Sequence, residues 1–447
     1  MASGIAMTRK ASPARAFWGA VHRWAGLATA LFLIVSGLTG AVLSWEHDID
    51  EWLNADLFKV ESRGPYRKPT DMAAAIQAWD PRVTVSYLSL SYQEGHSATF
   101  FVRPNRDAAT GRPYKLDYNQ VFVDPVTAKV VGKRDSRAVS LSLRNLMPFV
   151  HRLHYTLHVP PFWGNDRWGE WLMGGVALIC LFDSLVGLYL TLPARNPRRD
   201  AGTAAGGKSW WARWQPAWLV RRGAGSYKLN FDLHRAFGLW TWGVLVILAF
   251  TSFSINLRQE VFEPLLSLAS KKSPSVTAGR PAAPLGTVVP ARYDFEAVMA
   301  RARTESQQRG WTTPMSGIFY NARYGFYNVS FFDRAIGGDA SNMNLSNLYI
   351  DAQDLRLLGD NEPWVGTAAD VFGQLQLPLH SGRILGLPGR LLMSGMGLVV
   401  AMLSITGLVI WWRKRGGRRV AKATRAQEAA GDRGRRPVSA VAVCDPK

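Results

Sequence analysis

Four histidines, His22, His154, His234 and His380, fall one beside each of four long apolar runs, and His47, His151 and His158 lie close to the same run ends. Imidazole binds iron through a neutral nitrogen, so it needs no compensating charge in a low-dielectric setting. Four such ligands suffice for two haem irons. Runs that cross a membrane in alternating directions bring the beginnings of the first and third to one face, and those of the second and fourth to the other. His22 then pairs with His234 and His154 with His380, which places one candidate b-type haem near each membrane surface. Arg23 and Arg235 directly follow the first pair, and Arg383 stands about one helical turn past His380. Guanidinium groups there would meet haem propionates.

His151, His154 and His158 are three and four positions apart, a spacing that projects side chains from one side of a helix. Only one of them can oppose His380. His154 is the first choice, His158 the second and His151 the third. The spare imidazoles would hold a propionate, shuttle protons or touch an iron-bearing substrate, a role also open to His47. A lone histidine at a membrane boundary is ordinarily an interfacial hydrogen-bonding group; the opposed arrangement of four favours a metal or haem. Zinc competes, because clustered histidines are also its signature. The two cysteines, Cys180 and Cys444, supply no thiolate pair, however, and no His-Glu-x-x-His helix occurs. Without Cys-x-x-Cys-His, any haem is held noncovalently. His96, between polar residues, reads as surface.

The elements that must position these residues are the runs 25–45, 171–192, 237–257 and 391–412, each near the roughly 20 residues that cross a hydrocarbon core. The first is too long for a signal-peptide core and lacks a small-residue cleavage pattern. Charge sets the orientation. Of a net charge of +20, residues 1–23, 193–228 and 413–447 carry 23 basic against 4 acidic residues. These are the segments that one side of a four-span topology shares, so the positive-inside rule makes both termini cytoplasmic. The same location argues against nucleic acid and for a lipid-facing, disordered tail.

Segments 46–167 and 258–385 then face outward, each long enough for a small α+β domain. In the first, a short helix at 70–79 precedes alternating stretches from Val83, Ser97 and Tyr118; the second has a helix near 294–304, then strand patterns from Gly325 and Asn347. VFVDPVTAKVVG from Val121 aligns with LYIDAQDLRLLG from Leu348, each a strand, an acidic turn and a strand. HRWAGL from His22 likewise parallels HRAFGL from His234. A duplicated unit of span, domain and span accounts for both. The expected fold class is a membrane α-helical bundle of four transmembrane helices with two extracytoplasmic α+β domains.

The chain resembles the PepSY-associated transmembrane helix family over most of its length. The resemblance rests on HRWAGL with SGLTG in the first run, FVHRLHYTLHVP before the second, DLHRAFGLW before the third, and PLHSGRILGLPGR with TGLVIWWRKR at the fourth. The third run departs from the threonine-glycine pattern. Better-understood members are similar to haem-containing inner-membrane reductases of ferric siderophores. The resemblance therefore implies two haem b groups and electron transfer to a ferric chelate in the periplasm. PepSY-like domains imply, as an alternative, a membrane-tethered regulator of an extracytoplasmic peptidase without redox chemistry.

No Gly-x-Gly-x-x-Gly, Walker motif or nicotinamide-sized cytoplasmic segment is present. If the chain reduces a substrate, electrons must come from a membrane quinol or a separate cytosolic reductase. Asp183 lies inside the second run, where an acid is costly, and is expected to face the bundle interior as a paired group or proton-path candidate. The glycines of SGLTG and MSGMG serve either close helix approach or room for a porphyrin. Tryptophans at the run ends read as an interfacial belt. Tyr324, Phe326 and Tyr327 are substrate-contact candidates beside the more ordinary role of strand packing. Transport through the bundle ranks last, for want of a broken-helix signal.

Overall fold

The computed structural model describes residues 12–194, 209–333 and 343–433. The tail after Arg433, with Cys444, and the loop 195–208 lie outside the described residues. Pro13 opens α1 (Pro13–Leu43), a position where its missing N–H costs nothing. Next come α2 (Glu46–Leu53), α3 (Ala55–Phe58), α4 (Pro69–Trp79), α5 (Leu146–Thr156), α6 (Trp168–Thr191) and α7 (Trp210–Trp214). The chain continues through α8 (Ser226–Trp240), α9 (Trp242–Asn256), α10 (Glu263–Ala269), α11 (Phe295–Gln308), α12 (Ala368–Ser381) and α13 (Gly386–Arg433).

Among the described residues three helices are long and apolar enough to cross a membrane, spanning Pro13–Leu43, Trp168–Thr191 and Arg383–Gly417. Their surfaces expose large apolar side chains, among them Leu31, Leu178, Leu185 and Leu398, as lipid-facing helices do. The third expected run is not one helix. It passes as a span only when α8 and α9 are taken together as a bent pair, broken at Thr241. Thr241 turns its N–H and hydroxyl back onto the Phe237 carbonyl, with Gly238 and Gly243 on either side to weaken the helix.

The described chain divides into two compact units. One takes the residues up to Ile34, Asp183–Trp242 and those from Met402; the other takes Val35–Phe182 and Gly243–Ala401. The second unit contains all the strands among the described residues: β1 (Val83–Ser89), β2 (Ala98–Pro104), β3 (Gln120–Val123), β4 (Val130–Arg134), β5 (Met315–Asn321), β6 (Phe326–Phe331), β7 (Ser346–Asp351) and β8 (Leu357–Asn361). They form one eight-stranded antiparallel sheet in the order β4-β3-β2-β1-β5-β6-β7-β8. The two soluble segments are thus joined through their first strands, with Leu88 opposite Ile318 in the seam.

One core serves both halves. Met72 and Ile76 of α4 and Val298 and Ala302 of α11 pack with Leu88, Phe100, Ile318, Val329 and Leu348. The internal repeat extends to turn geometry. After β3, Asp124 accepts the Ala128 N–H and Ala128 is left-handed (φ 59°); after β7, Asp351 accepts the Leu355 N–H and Leu355 is left-handed (φ 58°). Phe326 and Tyr327 belong to the buried interior, and Tyr327 donates to the Tyr293 carbonyl, which removes both from any docking surface.

Candidate functional site

In the first unit, His22 of α1 and His234 of α8 stand with ring centroids 6.1 Å apart and planes tilted by 59°. His22 Nδ1 lies 2.9 Å from Asp183 Oδ1 on α6. A carboxylate accepts, so the proton sits on Nδ1. His234 Nδ1 is 3.0 Å from both the Leu403 carbonyl and Thr406 Oγ1 on α13. A carbonyl can only accept, which again places the proton on Nδ1.

In the second unit, His154 of α5 and His380 of α12 are 6.2 Å apart, tilted by 50°. Thr39 Oγ1 is 3.0 Å from His154 Nδ1 and gives its own hydrogen to the Val35 carbonyl at 2.7 Å. Thr251 Oγ1 does the same for His380, at 3.1 Å, while donating to the Ile247 carbonyl at 2.8 Å. With its single hydrogen committed to the helix backbone, each threonine oxygen accepts from the imidazole. All four rings therefore carry Nδ1–H, and each Nε2 is a lone pair that no protein donor reaches among the described residues. Burial holds His154 and His380 neutral, down to about 4.

Two imidazoles that shared one metal through Nε2 would have similar ring separations. Two metal–imidazole bonds of about 2 Å, plus about 1 Å from each nitrogen to its ring centre, give roughly 6 Å between centroids. Glycines make room for the rings. A Cβ on Gly40 would stand 3.0 Å from His154 Cε1, and one on Gly407 3.3 Å from His234 Cε1. The other glycines of these motifs act differently: a Cβ on Gly37 would stand 2.5 Å from the Gly397 carbonyl, so that pair is a close crossing of α1 and α13.

The threonine partners were invisible to motif reading, but a signal exists. Thr39 follows His22 by 17 residues, and Thr251 follows His234 by the same 17. The third run therefore keeps the threonine register although it lacks the glycine. Each half supplies His, Thr, His and one further partner, which is Asp183 in the first and Thr406 in the second.

The remaining histidines point elsewhere. His151 is bonded to Glu46 at 2.7 Å, and that carboxylate raises its pKa. Because α5 ends at Thr156 and Leu157 and His158 take left-handed φ of 53° and 54°, the helical spacing stops before His158. His158 donates Nε2–H to the Phe149 carbonyl at 2.9 Å and stacks on that ring. His47 is exposed beside Glu51, and His96, only partly exposed, bonds the same carboxylate at 3.3 Å. Of the arginines, Arg23 lies over Trp24, with its buried Nε lacking a partner; Arg235 bonds Asp232 and the Pro216 carbonyl. Arg383 lies near His151 and acts on its charge. Arg152, beside His151, is a further guanidinium whose buried Nε has no partner. Among the described residues no group of three or more His, Cys, Asp or Glu side chains forms a metal site; the arrangement is one of pairs.

Apolar helices long enough to span a bilayer, together with an antiparallel sheet, define a multi-pass membrane protein carrying a soluble α+β part. The chain belongs to the PepSY-associated TM region family, whose model matches residues 20–414. Among curated proteins, none matches the chain.

Proposed function

We propose that this protein is an inner-membrane dihaem b-type reductase that passes electrons across the bilayer to ferric iron, held in a chelate such as a siderophore, on the periplasmic side. The observation that supports it is the double pair of imidazoles, each ring held through Nδ1 with its centroid 6.1 or 6.2 Å from that of its partner. Haem iron bound there would supply one-electron chemistry. His22 with His234 and His154 with His380 would be the axial ligands, and Asp183, Thr39, Thr251 and Thr406 keep each ring in the ligating tautomer. Arg23 and Arg235 each bury an Nε without a hydrogen-bond partner, and because Arg235 is already bonded to Asp232 and the Pro216 carbonyl, Arg23 is the better placed of the two to hold a propionate.

In this reading four spans, the third bent at Thr241, leave both termini in the cytoplasm, and the sheet lies outside as the docking surface. Ferrous iron carries less charge than ferric for the same anionic oxygen donors, so reduction loosens the chelate and releases the metal. Electrons enter from a quinol or a separate cytosolic reductase.

The test uses proteoliposomes loaded with reductant, with a ferric hydroxamate and a ferrous-specific dye outside. Dye colour should develop with the native protein and fall to the empty-vesicle rate in His154→Ala and His380→Ala. Unchanged rates in both variants would refute the proposal.

A further inference from the structure

The two halves repeat their histidine supports at every position but one. His154 and His380 are each held by a threonine hydroxyl, and His234 by a threonine hydroxyl and a backbone carbonyl. His22 alone is held by a carboxylate, Asp183, at 2.9 Å. Asp183 is mostly buried, with its side chain 15% exposed. A buried acid is costly unless it is paired, and the partner here is the imidazole itself.

A hydrogen bond to a carboxylate is shorter and roughly twice as strong as one to a neutral oxygen. By drawing the Nδ1 proton, the carboxylate makes Nε2 a stronger electron donor, an outer-shell effect that tunes a bound metal. Ferric iron, with the greater charge, gains more from that donation than ferrous iron. Nearby negative charge acts in the same direction, and low surrounding dielectric strengthens it.

We propose that Asp183 is a positioning and tuning residue that sets the haem of His22 and His234 at a lower reduction potential than the haem of His154 and His380. The inference rests on the haem reading above. With haem bound at both pairs, the order would run downhill from the Asp183 site to the threonine-held site, with a quinol or cytosolic reductase as the source of each electron. Duplication alone would give two sites of similar potential.

The experiment is a spectroelectrochemical titration of the purified, haem-loaded protein. The native protein should show two one-electron steps. Asp183→Asn should shift only the lower step upward, by about tenfold in the ferric-to-ferrous ratio at fixed potential, which is 59 mV for one electron. Asp183→Glu should restore most of the difference. If Asp183→Asn loses its haem, Thr406→Asp provides the reciprocal arm, since a second carboxylate on the same pair should push the lower step further down. The inference is overturned if both steps stay where they are in variants that keep two haems. A native protein with no haem spectrum would overturn the functional reading itself, so the two failures are distinct.

Discussion

Replacing Thr39 by valine keeps the side chain's shape and removes one oxygen, the acceptor 3.0 Å from His154 Nδ1. The lost bond to the Val35 carbonyl matters little, because that carbonyl keeps its place in the helix ladder of α1. The Ser36 backbone stays beside His154, so the imidazole N–H keeps one weaker acceptor, and the change costs part of the about 1–3 kcal/mol that a wholly unsatisfied buried N–H does. His154 then gains by rotating or by moving its proton to Nε2, and either change must be reversed before that nitrogen can bind iron. At 1.4 kcal/mol per decade this predicts roughly a 10-fold loss of affinity, the lower end of the range seen for outer-shell partners of metal-binding histidines. The assay is a hemin titration of haem-free Thr39→Val in detergent, followed at the Soret band. One of two sites should weaken by that factor while the other keeps its native affinity. Two sites of native affinity would show that Thr39 does not hold the ring and would refute the tautomer argument.

Other perturbations follow from the same geometry. Arg134 and Asp50 form an ion pair whose side chains are 6% and 9% exposed, so Arg134→Ala should cost about 3–5 kcal/mol in thermal unfolding, and the double change Arg134→Met with Asp50→Leu far less. Gly37→Ala meets backbone atoms of α13 that cannot yield and should destabilise by about 1–3 kcal/mol, whereas Gly395→Ala, with nothing within 4 Å, should be neutral. His154 and His380 have pKa values near 4 in the folded protein against about 6.5 unfolded, so the unfolded chain binds more protons between those limits. Haem-free protein should therefore be fully stable above pH 6.5 and lose stability as pH falls towards 4, and Asn at both positions should flatten that slope.

Apolar length and histidine placement made much of the bundle legible, because a run near 20 residues has few other uses and an imidazole at its end is costly to leave without a role. The missing parts have physical causes. Strand β5 was hidden by Gly317, which weakens the strand pattern because Tyr87 of the neighbouring strand lies where a side chain would stand, 2.6 Å from its Cβ position. Without β5 the two soluble segments read as separate domains, although β1 and β5 join them into one sheet. Nothing local marks the end of α5, since Leu157 takes the left-handed conformation that usually calls for glycine. His158 therefore seemed to share a face it does not reach. The break at Thr241 lay inside an apolar run whose composition argues for continuity. Thr39 and Thr251 look like ordinary helix threonines until their shared 17-residue spacing from His22 and His234 is noticed, and Thr406 carries no such mark.

If opposed imidazoles hold two haems, the absorption spectrum and haem content of the detergent-purified protein before and after dithionite will show it most directly. A low-spin b-type spectrum with sharpened reduced bands and two haems per chain is expected, dropping to about one in His22→Ala, His234→Ala, His154→Ala or His380→Ala. A folded native protein that stays colourless after hemin is supplied would contradict it.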